Sequence, residues 1–311
     1  YEENLDIQKI KHNLHELITD LRFYDDSMNF LNSDEISIKD IFIDEEIIYL
    51  SYVKEVKKDC FNTSVLSAKL NVNYLNFDTF FTYDECLSFK NVEEFNGQQS
   101  GGRIINYQNK ILLTIGEYRK RELAQNLESN FGKIVSIDKS TNQSNIFSSG
   151  HRNPQGLYYD SKLEIILSTE HGPKGGDELN IIKENNNYGW PISSYGEHYD
   201  GTYKKEAPLH KSHKDYGFTE PIYYFTPSIG ISEVIRANGI FNPSKNFFFI
   251  TSLKDKSIYI FEINTDDNLT KLIDKINIDE RVRDIIYLKT ENIYVALLEN
   301  TPSIALIKYK N

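Results

Sequence analysis

The chain has 311 residues, with 35 Lys and Arg against 46 Asp and Glu, giving a formal net charge of −11. That acidity, with no block of basic residues, argues against a nucleic-acid binder. The length suits one large domain, residues 1–311, and no apolar run is long enough to span a bilayer.

Residues 4–30 carry a mixed pattern that suits a short helix. Beyond them, short apolar runs rich in Ile, Val, Tyr and Phe recur at 47–52, 111–115, 163–167, 247–251, 258–263 and 293–298. Clusters of Asn, Asp, Gly and Lys separate the runs. Many short strands at such spacing predict an all-β domain, a propeller or a sandwich. A four-stranded propeller blade takes roughly 40–50 residues, so about six would fit. Two cysteines, Cys60 and Cys86, lie outside any metal-ligand spacing; they are open to pairing or to standing as separate thiols.

The densest signal runs from Gly150 to Gly201, where Gly, Pro, Asn, Asp and His crowd around one apolar run, Leu163–Leu167. Such residues set turns and leave backbone carbonyls free to face a site. In His171-Gly172-Pro173 the carbonyls can turn toward one cation, and calcium accepts backbone oxygens readily. A carboxylate at Glu178 and a carbonyl at Tyr188 could clasp a second calcium, with Asp177 left to cap a turn. Arg152 and Asn153 offer a guanidinium and an amide to a ligand bearing carbonyls and carboxylates. Arg281 and Arg283, an i, i+2 pair, share one strand face. They repel unless an anion lies between them or acids such as Asp279, Glu280 and Asp284 flank them. Lys254 is a third candidate cation.

These stretches, GHRNPQG, TEHGPKGGDELN, NNNYGWP and ERVRDI, resemble the aldose sugar dehydrogenase and soluble glucose dehydrogenase family, calcium- and quinone-dependent enzymes. The resemblance runs from about residue 35 to 309. It implies a six-bladed β-propeller, with the first blade incomplete at the N-terminus. It implies pyrroloquinoline quinone held by Arg152, Asn153, Lys254, Arg281 and Arg283. It also implies one calcium at Gly172 and Pro173 and a structural calcium at Glu178 and Tyr188. The expected reaction oxidises an aldose to a lactone, with electrons leaving to an outside acceptor, in the periplasm or a secreted fluid.

The chain departs from that pattern at the catalytic position. The family's His base sits four residues before the Arg of a GGR turn, where this chain has Gln99. An amide cannot serve as a general base. Glu35 and Phe225 replace a family Gln and Trp. His171 is a candidate substitute base, as are His151, His198, His210 and His213. A propeller that binds a saccharide or protein partner without oxidising it is the alternative.

Overall fold

The structure, a computed structural model, describes residues 9–24, 36–199, 209–238, 244–265 and 269–308. Glu35 lies outside them. The predicted runs become strands, with boundaries set by turn chemistry. The run at 163–167 starts late, as strand Ile165–Glu170, because Asp160 Oδ1 accepts from Leu163 N at 2.8 Å and closes a turn first. The early stretch supplies one helical turn, Leu14–Leu17, and a two-residue strand, Lys11–His12, paired in parallel with Tyr74–Leu75.

Five antiparallel sheets follow one another along the chain, each a meander. Their first strands are Ile38–Asp44, Gly101–Tyr107, Pro154–Asp160, Ile231–Arg236 and Val282–Leu288. Each first strand lies beside the first strand of the next sheet, so these strands line the axis of a propeller. We number the sheets blades 1 to 5; blade 5 has three strands.

Alternation along each strand decides which neighbour a side chain meets. On the second strand of blade 2, Leu112 packs toward blade 3 with Leu157 and Ile166. Ile111 and Leu113 pack the other way, into a core with Val65 and Leu66 of blade 1. In blade 4, Phe248 and Ile250 join Leu167 and Leu179 of blade 3, while Phe249 joins Val282 and Tyr294 of blade 5. The apolar core is therefore divided into wedges between successive blades, which a two-sheet sandwich does not produce.

Five blades, not six, are found among the described residues, a correction to the sequence expectation. Dividing length by blade size overlooks the stretches 116–132, 183–199 and 209–222, which form turns and loops outside the sheets. The strand holding Tyr49 to Tyr52 sits inside a full sheet, and of the residues before it, where the incomplete blade was expected, 1–8 and 25–35 lie outside the described residues. Apolar side chains remain uncovered on the first strands of blades 1 and 5, at Ile41, Ile43 and Ile286. Cys60 and Cys86 form a disulfide.

Candidate active site

A cavity of about 520 Å³ opens where the five first strands begin. Lys39, Arg103, Gln155, Ser232 and Arg283 each bring one blade to its wall. Gln99, Arg152, Asn153, His171, Gly172 and Arg281 line it as well. Residues far apart in the sequence thus meet in one polar, guanidinium-rich chamber.

Arg103 anchors the axis beneath it. Its Nη1 lies 3.0 Å from Asp40 Oδ1 of blade 1 and 2.8 Å from Asp284 Oδ2 of blade 5. Its Nε lies 2.8 Å from Glu233 of blade 4 and donates to Gln155 O of blade 3 at 3.1 Å. One side chain from blade 2 therefore ties all four other blades. Burial pushes Asp40 up to about 6 and Glu233 well above the usual carboxylate range, against the pull of Arg103.

The turn before Arg103 places Gln99. A 3-10 turn, Gly97–Gln99, is capped by Asn96, whose side chain accepts from Gln98 N at 2.7 Å. Gly101 continues it at φ +62°, where a Cβ would stand 2.8 Å from Thr114 O. The Gln99 side chain is used up inside the wall. With its amide oriented to suit its neighbours, its nitrogen donates to Glu117 Oε1 at 2.6 Å. Its oxygen then accepts from Arg119 Nε at 2.8 Å and Arg152 Nη2 at 3.2 Å. Glu117 is fully buried, and burial raises its carboxyl to about 7 despite Arg152, Arg121 and Arg119.

Arg152 Nη1 donates to His171 O at 2.9 Å and to Gly172 O at 2.8 Å. Two successive carbonyls of the His-Gly-Pro turn do converge on one cation, the chain's own guanidinium. Pro173 does not line this cavity; its carbonyl accepts from Ser228 Oγ at 3.4 Å. Asp177 is a turn cap: Oδ1 accepts from Gly172 N, and Oδ2 from Gly230 N and Ile231 N of blade 4. The Asn153 amide is likewise taken, with Oδ1 accepting from Gly101 N at 3.1 Å and Nδ2 donating to Gln98 O at 3.3 Å. His171 differs, because its buried Nε2 has no hydrogen-bond partner and burial lowers its pKa.

Arg281, just before the strand Val282–Leu288, and Arg283, at its register shift, both reach one carboxylate, Glu299, in the turn of the next hairpin. Lys254 is exposed and lines a neighbouring groove with Asp255 and Tyr259 instead. Glu178 and Tyr188 stand on either side of His213. The imidazole Nδ1 lies 3.0 Å from Tyr188 O, and Nε2 lies 3.4 Å from Glu178 Oε1. Burial opposes its charge, but Glu178 outweighs this and raises the His213 pKa. His213 and Trp190 line the void of about 10 Å³ beside Glu178. Glu170, Ser193 and Ser194 line that one-water space too, and the His213 imidazole stands between the Glu178 carboxylate and the Tyr188 carbonyl. Of the other histidines, His151 is held by Ser148 and Glu170, His198 contacts Arg121, and His210 stacks on Tyr216.

Residues 34–306 match the family described as Glucose / Sorbosone dehydrogenase. The chain belongs to that family. Aldose sugar dehydrogenase YliI of Escherichia coli is 30% identical over 232 residues, 66% of this chain and 61% of that protein. The chain thus spans less than two thirds of the length of the curated relatives it matches. The apo crystal structure of soluble aldose sugar dehydrogenase from Escherichia coli superposes with TM-score 0.71 at 25% identity, covering 87% of this chain and 80% of that one. A PQQ-bound aldose sugar dehydrogenase from Streptomyces coelicolor superposes with TM-score 0.58 at 20% identity, covering 86% and 74%, and shares the fold.

The glucose/sorbosone dehydrogenase resemblance did not point to Glu117, Arg119 or Glu299. Arg119 follows two residues after Glu117 in a run that reads as a charged loop, and nothing local marks Glu299.

Proposed function

We propose that the chain binds pyrroloquinoline quinone with calcium in this cavity and oxidises an aldose to a lactone, passing electrons to an outside acceptor. The observation that carries the reading is the gathering of Arg152, Arg281 and Arg283, from the stretches that resemble the family's site, on one chamber with Arg119. Its volume lies within the roughly 300–1,000 Å³ usual for small-molecule sites. Guanidinia suit the paired oxygens of a tricarboxylate. The names of the relatives support the substrate class and the quinone.

When bound, the quinone would supply the hydride acceptor. The chain's residues supply binding and orientation. Arg281 and Arg283 would meet ligand carboxylates. Asn153 acts on the site through the Gly101 turn. The carbonyl of Gly172, on the cavity wall and already collecting a guanidinium, is a ligand suited to a hard cation, whereas that of Pro173 lies off the wall against Ser228. The Cys60–Cys86 disulfide suits an oxidising compartment, periplasmic or secreted.

The proton is the weak point of this chemistry. Gln99 has no basic atom, and its amide oxygen faces two arginines. His171 lines the cavity, and its Nε2, buried and unpartnered, is the candidate to take a hydroxyl proton once a ligand reaches it. The locked Gln99 amide also favours a second reading, a propeller that binds a saccharide without oxidising it.

The test combines absorption titration with quinone plus calcium and aldose-dependent dye reduction. Wild-type protein should bind the quinone and turn over slowly. His171→Ala should abolish the residual rate, and Gln99→His should raise it by up to about 10²–10⁴, the usual yield of a general base. High wild-type activity unaffected by His171→Ala would remove the proton assignment. Quinone binding with no activity in any of the three proteins would leave the binding module.

A further inference from the structure

Arg281 and Arg283 do not face the cavity as bare cations. Glu299 Oε1 accepts from Arg281 Nε and Nη2, each at 3.1 Å, and Oε2 accepts from Arg283 Nη2. All three residues line the cavity. Both carboxylate oxygens are thus spent on guanidinia, one for each arginine. This is the contact that a ligand carboxylate would make with the same pair. The cluster is also half open to solvent: the side-chain exposures of Arg283 and Glu299 are 42% and 26%. An incoming anion can therefore reach it without unfolding anything.

We propose that Glu299 is a specificity-determining residue, an internal anion that occupies the Arg281–Arg283 position and must yield before a ligand carboxylate can bind there. A monocarboxylate exchanges one carboxylate for another and gains little. A ligand with several carboxylates that also reaches Arg119 or Arg152 gains contacts Glu299 cannot make, and displaces it. The pair thereby selects polyanions. The identity of the natural anion rests on the quinone reading; the competition itself does not.

The experiment compares wild type with Glu299→Gln, which keeps size and removes charge. Glu299→Asp serves as a second, shortened competitor. Quinone affinity is read by absorption titration, and citrate affinity, as an unrelated tricarboxylate, by thermal shift. Glu299→Gln should bind both ligands about ten- to a hundredfold more tightly, the worth of one charge-assisted contact, and Glu299→Asp should fall between. Equal or weaker binding of both by Glu299→Gln means that Glu299 merely orients the arginines, and the proposal is wrong. Tighter citrate binding with no quinone binding in any protein would keep the competitor and remove the quinone. Tighter quinone binding with no citrate binding would support both. Failure of all three proteins to bind either ligand would overturn both.

Discussion

Two charged clusters lie on the propeller axis and are built with opposite stoichiometry. At Arg103 one cation meets three carboxylates from three blades, Asp40, Glu233 and Asp284, with 12% of its side chain exposed. At Glu299 one carboxylate meets two cations, one just before a strand and one within it, and Arg283 is 42% exposed. At the first cluster the Nε and Nη1 contacts of Arg103 are all internal and cross between blades. The second has surplus positive charge and faces the cavity. The same residue type therefore ties blades together in one place and lines the cavity beside a single carboxylate in the other. Burial and partner count, rather than the arginine itself, separate the two roles.

The largest effect is expected from Arg103→Met. Removing one partner of a buried ion cluster leaves carboxylates uncompensated, which typically costs about 3–5 kcal/mol. Denaturant unfolding at pH 7 should show a loss of that size. The loss should shrink toward pH 5, where Asp40, raised to about 6 by burial, takes up a proton. A change under about 1 kcal/mol would mean that packing alone holds the blades, and the contrast between the clusters would lose its structural half.

The middle effect belongs to Glu117, a buried acid behind the cavity wall against Gln99, which tests which side of the contrast it joins. Its folded pKa of about 7 lies above the ordinary 4.5, because burial outweighs Arg152, Arg121 and Arg119. A carboxyl raised in the folded state contributes stability that is full below pH 4.5 and is lost as pH rises through about 7. The shift corresponds to roughly 3 kcal/mol. Glu117→Gln, which keeps an acceptor toward Gln99, should remove this dependence. Melting curves from pH 5 to 8 should show wild type losing stability relative to the variant. Parallel curves would show that the three arginines hold Glu117 ionised throughout.

How far such clusters can be read from sequence follows from where their partners lie. The strands at 111–115, 258–263 and 293–298 were legible because each is a short local run of apolar, β-branched and aromatic residues, the first two buried on both faces between blades. The turns at 150–201 were legible because their chemistry is contiguous: Asp177 capping the loop needs only neighbours in the same motif and one blade beyond. Glu299 could not be found this way. It answers Arg281 from 18 residues downstream, a distance set by a hairpin and not by any pattern of residue types. Asp284, which looked like a flanking partner, points to Arg103 instead, 181 residues away. The blade count was misread for a related reason: composition does not show how much chain the loops of a site will use.

The smallest effect on the fold, and the one that most sharpens the comparison, is expected from Arg283→Ala. The Arg283–Glu299 pair is partly solvated, and such pairs are worth about 0–1 kcal/mol. Burial also lowers the Arg283 pKa, with Glu299 working to restore it, so the pair offsets its own desolvation more than it adds stability. Unfolding should therefore change by less than about 1 kcal/mol. Quinone binding should respond differently. Losing one guanidinium from the cavity removes a charge-assisted contact worth about 1.5–3 kcal/mol, a drop of about ten- to a hundredfold in affinity. Arg103→Met would then be a stability variant and Arg283→Ala a binding variant, though both delete an arginine from the same axis. If Arg283→Ala destabilised the protein as much as Arg103→Met, the cavity cluster would be structural, and its arginines would no longer mark a ligand site.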